Sequence, residues 1–211
     1  MSDIYTTGKI NIDIATWSSF VEQCQACTDC ELCQERDQVV VWRGSVPAPL
    51  MIVGEGPGAE EDRLGQPFVG RSGKLLDRLL QAQEFHPNFF HICNIVKCRP
   101  PANRVPTEVE ANTCKQHLAK QFKLVKPKVI VLCGATAYRY FTGQKDSISK
   151  VRGRWQEKNG YFIMPTYHPA YVLRDPRQRS KLWDDFAKVR EKLTELGLAI
   201  PANDPLTALD I

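Results

Sequence analysis

The sequence predicts an α/β protein, a three-layer α/β/α sandwich around a central, mainly parallel sheet of four strands. Short apolar runs alternate with amphipathic segments of helical period along most of the chain. Turn residues follow the apolar runs, and the segments after them are long enough for helical crossovers. Such crossovers join parallel strands and cover both faces of the sheet with helices.

Four apolar runs are predicted as the strands, and four amphipathic segments as the helices. The strands are residues 50–53, 89–93, 129–133 and 161–165. The helices are residues 73–82, 107–122, 135–141 and 181–196. Parallel α/β sheets bind ligands outside the carboxyl ends of their strands. The glycine-rich loop 54–58, Asn94, Gly134 and His168 follow these strands, so we expect them to meet at one edge.

The 211 residues, 43% of them apolar, are enough to bury a core and fit within one domain. We expect that domain to span residues 21–198, between an N-terminal extension, residues 1–20, and a C-terminal tail, residues 199–211. No apolar run reaches the length of about eighteen residues that a membrane span needs. Residues 1–20 lack the basic start and apolar run of a signal peptide. We therefore expect a cytoplasmic protein that binds no membrane.

The net charge is small and selects no function by itself. A formal charge of +4 suits a polyanionic partner. An excess of this size is equally common in proteins that never contact nucleic acid.

The cysteines point to a metal site. Eight is a high number for a cytoplasmic chain, where disulfides are disfavoured. Four of them, Cys24, Cys27, Cys30 and Cys33, are each separated by two residues. Cys98 and Cys114 flank a loop and could join one early pair in a four-thiolate site, which zinc and an iron–sulfur cluster both accept. Cys93 and Cys133, at strand ends, are better explained as small buried hydrophobic residues.

The loop Gly54-Glu55-Gly56-Pro57-Gly58 places a carboxylate among glycines that let the backbone approach a ligand. A tight turn would account for the glycines but not for Glu55. The loop does not have the dinucleotide pattern. Gly73-Lys74 does not complete a P-loop either, because Leu75 follows where magnesium would need a Ser or Thr, and Phe68 stands where the motif needs its first glycine. Nucleotide hydrolysis is therefore disfavoured.

Three further features lie in predicted loops. Phe68 lies between glycines, where it can be a platform for stacking a base, although a phenylalanine is more often a core residue. His168 follows the last strand, where a structural role is the common alternative. The apolar segment 171–173 leads into Arg174, as a wedge between base steps with a phosphate anchor would.

Together these motifs resemble the family 4 uracil-DNA glycosylases, the iron–sulfur branch of the uracil-DNA glycosylase superfamily. The similarity runs from about Cys27 to Arg190. Its most specific parts are the 54–58 loop with Glu61-Asp62, Pro67-Phe68-Val69-Gly70, Asn94-Ile95-Val96-Lys97-Cys98-Arg99-Pro100-Pro101, and His168-Pro169-Ala170. The resemblance implies the fold of that superfamily.

The resemblance also implies one 4Fe-4S cluster, with zinc as the alternative. Its ligands would be Cys27, Cys30, Cys98 and Cys114. The early pair is chosen because Leu32, Arg36, Val39 and Val40 follow Cys27 and Cys30 at the family's spacing. Cys24 and Cys33 remain alternative ligands.

The family roles transfer to matching residues of this chain. Phe68 would stack on a flipped uracil, and the Asn94 amide would pair with its O4 and N3–H. His168 would donate a hydrogen bond to O2 of the leaving uracil, and Glu55 would orient the attacking water. Gly56 would lie against the substrate, and Glu61 would shape the side of the pocket that excludes the thymine methyl. Leu173 and Arg174 would contact DNA.

One branch of the superfamily attacks the sugar with a histidine in the loop after the second strand. Residues 100–106 contain no histidine here, which favours a monofunctional hydrolase that releases its product. We expect the substrate to be uracil-containing DNA, single- or double-stranded, and the enzyme to be a monomer that starts base excision repair. The competing hypothesis is a noncatalytic iron–sulfur module that only binds DNA.

Overall fold

The computed structural model describes residues 14–198, with a central sheet of six strands. The strands are β1 (Arg43–Gly44), β2 (Leu50–Gly54), β3 (Phe90–Asn94), β4 (Val129–Cys133), β5 (Gln156–Lys158) and β6 (Tyr161–Thr166). Their order across the sheet is β1-β3-β2-β4-β6-β5. The four inner strands are parallel, and β1 and β5 pair antiparallel at the two edges.

The prediction of four strands is correct for the parallel centre and wrong for the whole sheet. The two additional strands are only two and three residues long. Their side chains are half-buried or exposed, so neither strand has the apolar run that marks the inner ones. Pairing with β3 and β6, rather than local sequence, makes them strands.

Eight α-helices connect and cover the sheet within the described part of the chain. They are α1 (Ile14–Gln25), α2 (Ala59–Leu64), α3 (Arg71–Ala82), α4 (Glu108–Val125), α5 (Ala135–Thr142), α6 (Ile148–Val151), α7 (Pro169–Arg174) and α8 (Arg179–Glu195). The four predicted helices correspond to α3, α4, α5 and α8, with ends within three residues of those expected. Segment 171–173 is a correction: it lies in the short helix α7 and not in a loop. Six residues are too few to show a helical period in sequence.

Helices pack on both faces of the sheet, which confirms the three-layer α/β/α sandwich. On one face, α3 and α8 bury Leu76 and Phe186 against strand residues such as Ile52. On the other face, α4 and α5 bury Leu118 and Tyr138 with a second set of strand side chains. The inner strands are buried on both sides because alternate residues face opposite layers. Cys133 and Cys93 lie in these two cores as predicted, fully buried.

Helix α1 contacts α4 and forms a third small core with residues that precede β1. Phe20 is fully buried there, so the boundary expected at residue 20 falls inside a packed helix. The predicted tail, residues 199–211, lies outside the described residues. Within residues 14–198, no helix is long and apolar enough to cross a membrane.

The register of the sheet aligns the ends of its central strands. Gly54, the last residue of β2, is paired with Asn94, the last residue of β3. Cys133 at the end of β4 is paired with Thr166 at the end of β6. The loops after these strands therefore open on the same edge, as the parallel arrangement predicts.

Candidate active site and cysteine cluster

A cavity of about 360 Å³ opens at the carboxyl edge of the sheet. It is lined by seven of the predicted site residues, which are Glu55, Gly56, Glu61, Phe68, Asn94, His168 and Arg174. They come from the loop after β2 and the helix α2 that follows it, from the loop before α3, from the last residue of β3, and from the N-cap and the last residue of α7. The structure thus brings together residues that are up to 119 positions apart in sequence.

Glycines make room for Phe68 beside the end of β2. A Cβ at Gly54 would lie 2.6 Å from the Phe68 ring and 2.4 Å from Asn94 Oδ1. A Cβ at Gly73 would lie 1.7 Å from the Phe68 carbonyl oxygen. Phe68 itself has a positive φ of 56°, and Arg43 donates hydrogen bonds to the carbonyls of Pro67 and Phe68. The surrounding contacts hold this uncommon backbone conformation in place.

The Phe68 ring lies nearly parallel to the imidazole of His168, with ring centroids 5.5 Å apart. Phe68 is only 4% exposed and also belongs to the core on that face of the sheet. The two roles considered for it are therefore compatible, because Phe68 packs in the core and also lines the cavity.

The hydrogen-bond pattern of His168 defines its tautomer. His168 is the N-cap of α7, where its Nδ1 accepts a hydrogen bond of 3.1 Å from the Ala170 amide. Burial, and to a lesser extent the Arg174 cation, lowers the pKa of His168 to about 4. The imidazole is therefore neutral near pH 7, and its proton is on Nε2. His168 can donate from Nε2 to an acceptor in the cavity.

Asn94 brings a buried amide to the cavity wall. It is 2% exposed at the end of β3, and its side chain has no hydrogen-bond partner among the described residues. Its backbone carbonyl accepts a hydrogen bond of 2.8 Å from Lys97 Nζ. A buried amide that lines a cavity without a protein partner is suited to bind a polar ligand.

The two carboxylates of the site have different surroundings. Glu61 Oε2 accepts from the Gly58 amide at 3.1 Å, and Oε1 accepts from the amides of Val69 and Gly70 at 3.0 and 2.8 Å. Glu61 thus ties the loop after β2 to the loop that carries Phe68. The half-buried Glu55 carboxylate has no hydrogen bond or salt bridge with any described residue. Of the two, Glu55 is the carboxylate available to a ligand.

The expected DNA-contacting residues lie on α7. Arg174 is exposed and lines the cavity, whereas Leu173 is half-buried and is not part of the lining. Helix α7 begins directly after His168, so it projects from the same edge of the sheet. A contact between Leu173 and DNA remains a prediction.

The four predicted cysteine ligands line one small cavity beside the active site. Cys27 and Cys30 approach it from the segment after α1, and Cys98 and Cys114 from the loop after β3 and from α4. Cys24 and Cys33 line the same cavity. The structure therefore places all six candidate thiols together.

The spacing of these thiols suits a cluster better than a single ion. Among the described residues, only Cys27, Asp29 and His117 bring three potential ligand atoms within 4.8 Å of one another. Tetrahedral zinc with Zn–S bonds of about 2.3 Å would require its four sulfurs to lie roughly 3.8 Å apart. In a four-iron cluster each cysteine binds a different iron, which allows a wider spacing. The arrangement fits a cluster.

Two side chains that hydrogen-bond to the cysteine sulfurs, Arg36 and His117, were not assigned a role from the sequence. Arg36 Nη1 donates to Cys98 Sγ at 3.0 Å. His117 lies 3.2 Å from Cys27 Sγ through Nε2 and 3.5 Å from Cys24 Sγ through Nδ1. The position of His117, one helical turn after Cys114, is the signal that could have revealed it.

Comparison with known proteins identifies the family. The model of the uracil DNA glycosylase superfamily matches residues 41–193. The chain belongs to the uracil-DNA glycosylase superfamily. The Type-4 uracil-DNA glycosylase of Thermotoga maritima is 46% identical over 182 residues, which cover 83% of this chain and 94% of that protein. The Type-4 uracil-DNA glycosylase of Sulfurisphaera tokodaii is 40% identical over 179 residues, 81% of each chain.

A second branch of the superfamily is less similar to the chain. A Type-5 uracil-DNA glycosylase of Pyrobaculum aerophilum is 28% identical over 145 residues, which cover 60% of this chain and 63% of that protein. The resemblance to family 4 found in the motifs is thus confirmed. In this glycosylase fold, the cavity at the carboxyl edge and the cysteine cluster adjoin through residues 94–98, which connect Asn94 to Cys98.

Proposed function

We propose that the chain is a monofunctional uracil-DNA glycosylase that hydrolyses the N-glycosidic bond of uracil in DNA and leaves an abasic site. This activity starts base excision repair. The observation that carries the proposal is the cavity in which the unpartnered Asn94 amide, the stacked Phe68 and His168 rings and the open Glu55 carboxylate meet. Its relatives are named for the same activity.

Recognition of uracil follows from the buried amide. A base in duplex DNA must be flipped out before its hydrogen-bonding edge can be read. Asn94 can donate to uracil O4 and accept from N3–H. Cytosine has a donor in place of O4 and an acceptor in place of N3–H, so the same amide orientation does not fit it. Phe68 supports the base by stacking, and the backbone at Gly56 lies against it. A mismatched base leaves the buried amide unsatisfied, and this cost provides the discrimination.

Cleavage breaks the bond between C1′ of the deoxyribose and N1 of uracil. The bonding electrons leave with uracil, whose negative charge is partly on O2, and positive charge develops on the sugar. The neutral His168 donates from Nε2 to O2 and stabilises this charge. Glu55 orients water, whose oxygen bonds to C1′ and whose released proton passes through solvent to the uracil anion.

Glu61 acts on the pocket through the backbone rather than by contact with the base. Both of its oxygens are engaged by amides of the two pocket loops. Its expected part in excluding the thymine methyl is therefore indirect, because it positions the loop that carries Phe68. Arg174 supplies a cation beside the cavity for a DNA phosphate, and Leu173 on the same helix is proposed to wedge the duplex.

The cysteines are proposed to hold one 4Fe-4S cluster through Cys27, Cys30, Cys98 and Cys114. The sulfur spacing, the hydrogen bond from Arg36 to Cys98 and the contact of His117 with Cys27 support this choice over zinc. A bound cluster would link the segment after α1 to the loop after β3. We further propose that the protein acts as a monomer on single- and double-stranded DNA.

The deciding experiment measures alkali-sensitive strand breaks in a uracil-containing oligonucleotide, both single-stranded and duplex. The wild-type protein should cleave, and Asn94→Ala should lose most of the activity. Asn88→Ala is the matched control, since Asn88 is exposed near the opposite end of β3. Salt-sensitive DNA binding without base release by the wild-type protein would instead support the noncatalytic module.

A further inference from the structure

Lys97 is a charged residue buried between the active site and the cysteine cluster. It is 2% exposed and one of the largest fully buried side chains of the described chain. Its Nζ donates to the backbone carbonyl of Asn94 at 2.8 Å and to Gln121 Oε1 at 2.6 Å. Lysine is rarely buried to this extent unless its charge is compensated.

The direct partners of Lys97 are neutral. None of the salt bridges among the described residues includes it. Gln121 cannot carry charge, and its Nε2 is engaged by the Val41 carbonyl at 3.1 Å and by His91 at 2.8 Å. Burying an ammonium without an opposite charge costs several kcal/mol. A nearby anion would offset this cost.

The cysteines are the available source of that negative charge. Lys97 lines the cavity of the six thiols. Its positive charge lowers the pKa of Cys24 and of Cys114, against the larger raising effect of burial. The four thiolates would outweigh the positive charge of the iron–sulfur core, so a bound cluster would carry net negative charge beside the buried ammonium. The protein thus places its buried cation between a polyanionic centre and the carbonyl of Asn94.

The contact with Asn94 closes a turn that carries the base-reading amide. Within residues 94–97, the Ile95 amide donates to Gly54 O at 3.0 Å and the Val96 amide donates to Glu55 O at 3.3 Å. Lys97 then returns to the carbonyl of Asn94 itself. Lys97 does not line the active-site cavity. It can act on the substrate only through the position of Asn94.

We propose that Lys97 is a positioning residue that couples the iron–sulfur cluster to the uracil-reading amide of Asn94. The thiolate charge stabilises the buried ammonium. The ammonium holds the turn of residues 94–97 through the Asn94 carbonyl and so fixes the position of the Asn94 side chain. This inference rests on the proposed glycosylase function and adds a role for the cluster in substrate specificity. A purely structural cluster would need no charge between it and the pocket.

The test compares Lys97→Met and Lys97→Arg with the wild-type protein, all carrying the cluster. Two quantities are measured, the midpoint potential of the cluster and the inhibition constant of free uracil on single-stranded substrate. Lys97→Met should shift the potential to more negative values, because a buried positive charge is lost beside the cluster. It should also weaken uracil binding roughly tenfold. Lys97→Arg retains the charge, so its potential should stay near that of the wild-type protein.

Lys120→Met is the matched control. Lys120 also acts on Cys24, but it is exposed and donates to Gln23 instead of to the turn. Solvent screens its charge, so both quantities should remain at the wild-type values. If Lys97→Met does not retain the cluster, Lys97→Gln replaces it, since the amide can still donate to Asn94. Lys97→Gln should shift the potential in the same direction as Lys97→Met. It should weaken uracil binding less than Lys97→Met does, because the contact with the Asn94 carbonyl is kept.

Two outcomes would overturn the proposal. One is an unchanged potential in the charge-removing variant, and the other is a shifted potential with unchanged uracil inhibition. Failure of the glycosylase function would be recognised separately, as a lack of strand breaks by the wild-type protein.

Discussion

The ring of Phe68 lies 5.5 Å from the imidazole of His168, with their planes inclined by 24°. Phe68 comes from the loop before α3, and His168 is the N-cap of α7. Their contact joins the ring proposed to stack on uracil to the imidazole proposed to donate to uracil O2. Substitution of either residue should therefore affect a different step of the same reaction.

Replacing Phe68 with Leu should weaken substrate binding. Stacking on an aromatic ring contributes about 1–3 kcal/mol per base, which corresponds to a KM increase of roughly 5- to 150-fold. Phe68→Tyr keeps the ring and should stay near the wild-type value. Phe89→Leu is the control, since Phe89 packs in the same core but does not line the cavity. The measurement is KM on a single-stranded uracil oligonucleotide, and an unchanged KM in Phe68→Leu would exclude the stacking role.

The activity should be insensitive to protonation of His168 over the neutral range. Its pKa is lowered to about 4, so the imidazole that donates from Nε2 stays neutral from about pH 8 to about pH 5. Below that range, kcat should fall as the ring gains a second proton. A pH profile of kcat checks this, and a decline centred near pH 6.5 that disappears in His168→Gln would contradict it.

The same histidine should make folding stability depend on pH. The folded pKa lies below the value of about 6.5 for an exposed histidine, so the unfolded chain binds the proton first. The free energy of unfolding should therefore decrease as the pH falls from about 6.5 towards 4. His168→Gln should reduce this dependence, and the remainder comes partly from His91, whose pKa burial lowers to about 3. The free energy of unfolding in urea, determined at pH 7 and at pH 5, measures this dependence. An equal decrease between the two pH values in the wild-type protein and in His168→Gln would contradict the assignment.

Leu173→Ala should reduce activity on duplex DNA more than on single-stranded DNA, because only the duplex must be wedged open. Leu196→Ala is a matched control, as Leu196 is also half-buried but lies at the far end of α8. The measurement is the ratio of kcat/KM on the two substrates. Equal losses on both would remove the wedge role from Leu173.

Cysteine substitutions should distinguish the cluster ligands from the thiols beside them. Cys98→Ala and Cys27→Ala should lose most of the bound iron, since each would leave an iron without its protein ligand. Cys33→Ala should retain it, because the Cys33 sulfur has only a contact of 3.9 Å with the Thr28 carbonyl. Iron and sulfide analysis of protein purified without oxygen provides the measurement. Equal iron loss in Cys33→Ala would change the ligand set, and a colourless protein that contains zinc would refute the cluster.

The inner strands could be predicted because their signal is local. Residues 129–133 form a strand with the predicted bounds, since each of its side chains is apolar and fully buried. Strand β5 and helix α7 could not be predicted from the sequence. The three polar residues of β5 and the six polar and apolar residues of α7 are too few to show a strand or helix period of hydrophobicity. Tertiary pairing and the N-cap at His168 form these elements instead.

For the candidate site, the sequence identifies the residues, whereas only the structure shows their hydrogen-bond partners. Glu55, Phe68, Asn94 and His168 were found because their residue types and their places after apolar runs are visible along the chain. The protonation of His168 depends on the Ala170 amide, and the role of Glu61 depends on three amides in two loops. Which backbone groups are left to accept or donate is known only after the loops have packed.

Lys97 is the residue whose environment is least predictable from the sequence. In sequence it is one lysine next to a cysteine, with nothing to distinguish it from a solvent-exposed charge. Its burial depends on Gln121, which is 24 residues away on α4, and on thiols from two distant segments, residues 24–33 and 98–114. Local sequence therefore identified the residues that line the cavity, whereas long-range packing decided that a buried charge lies between that cavity and the cysteines.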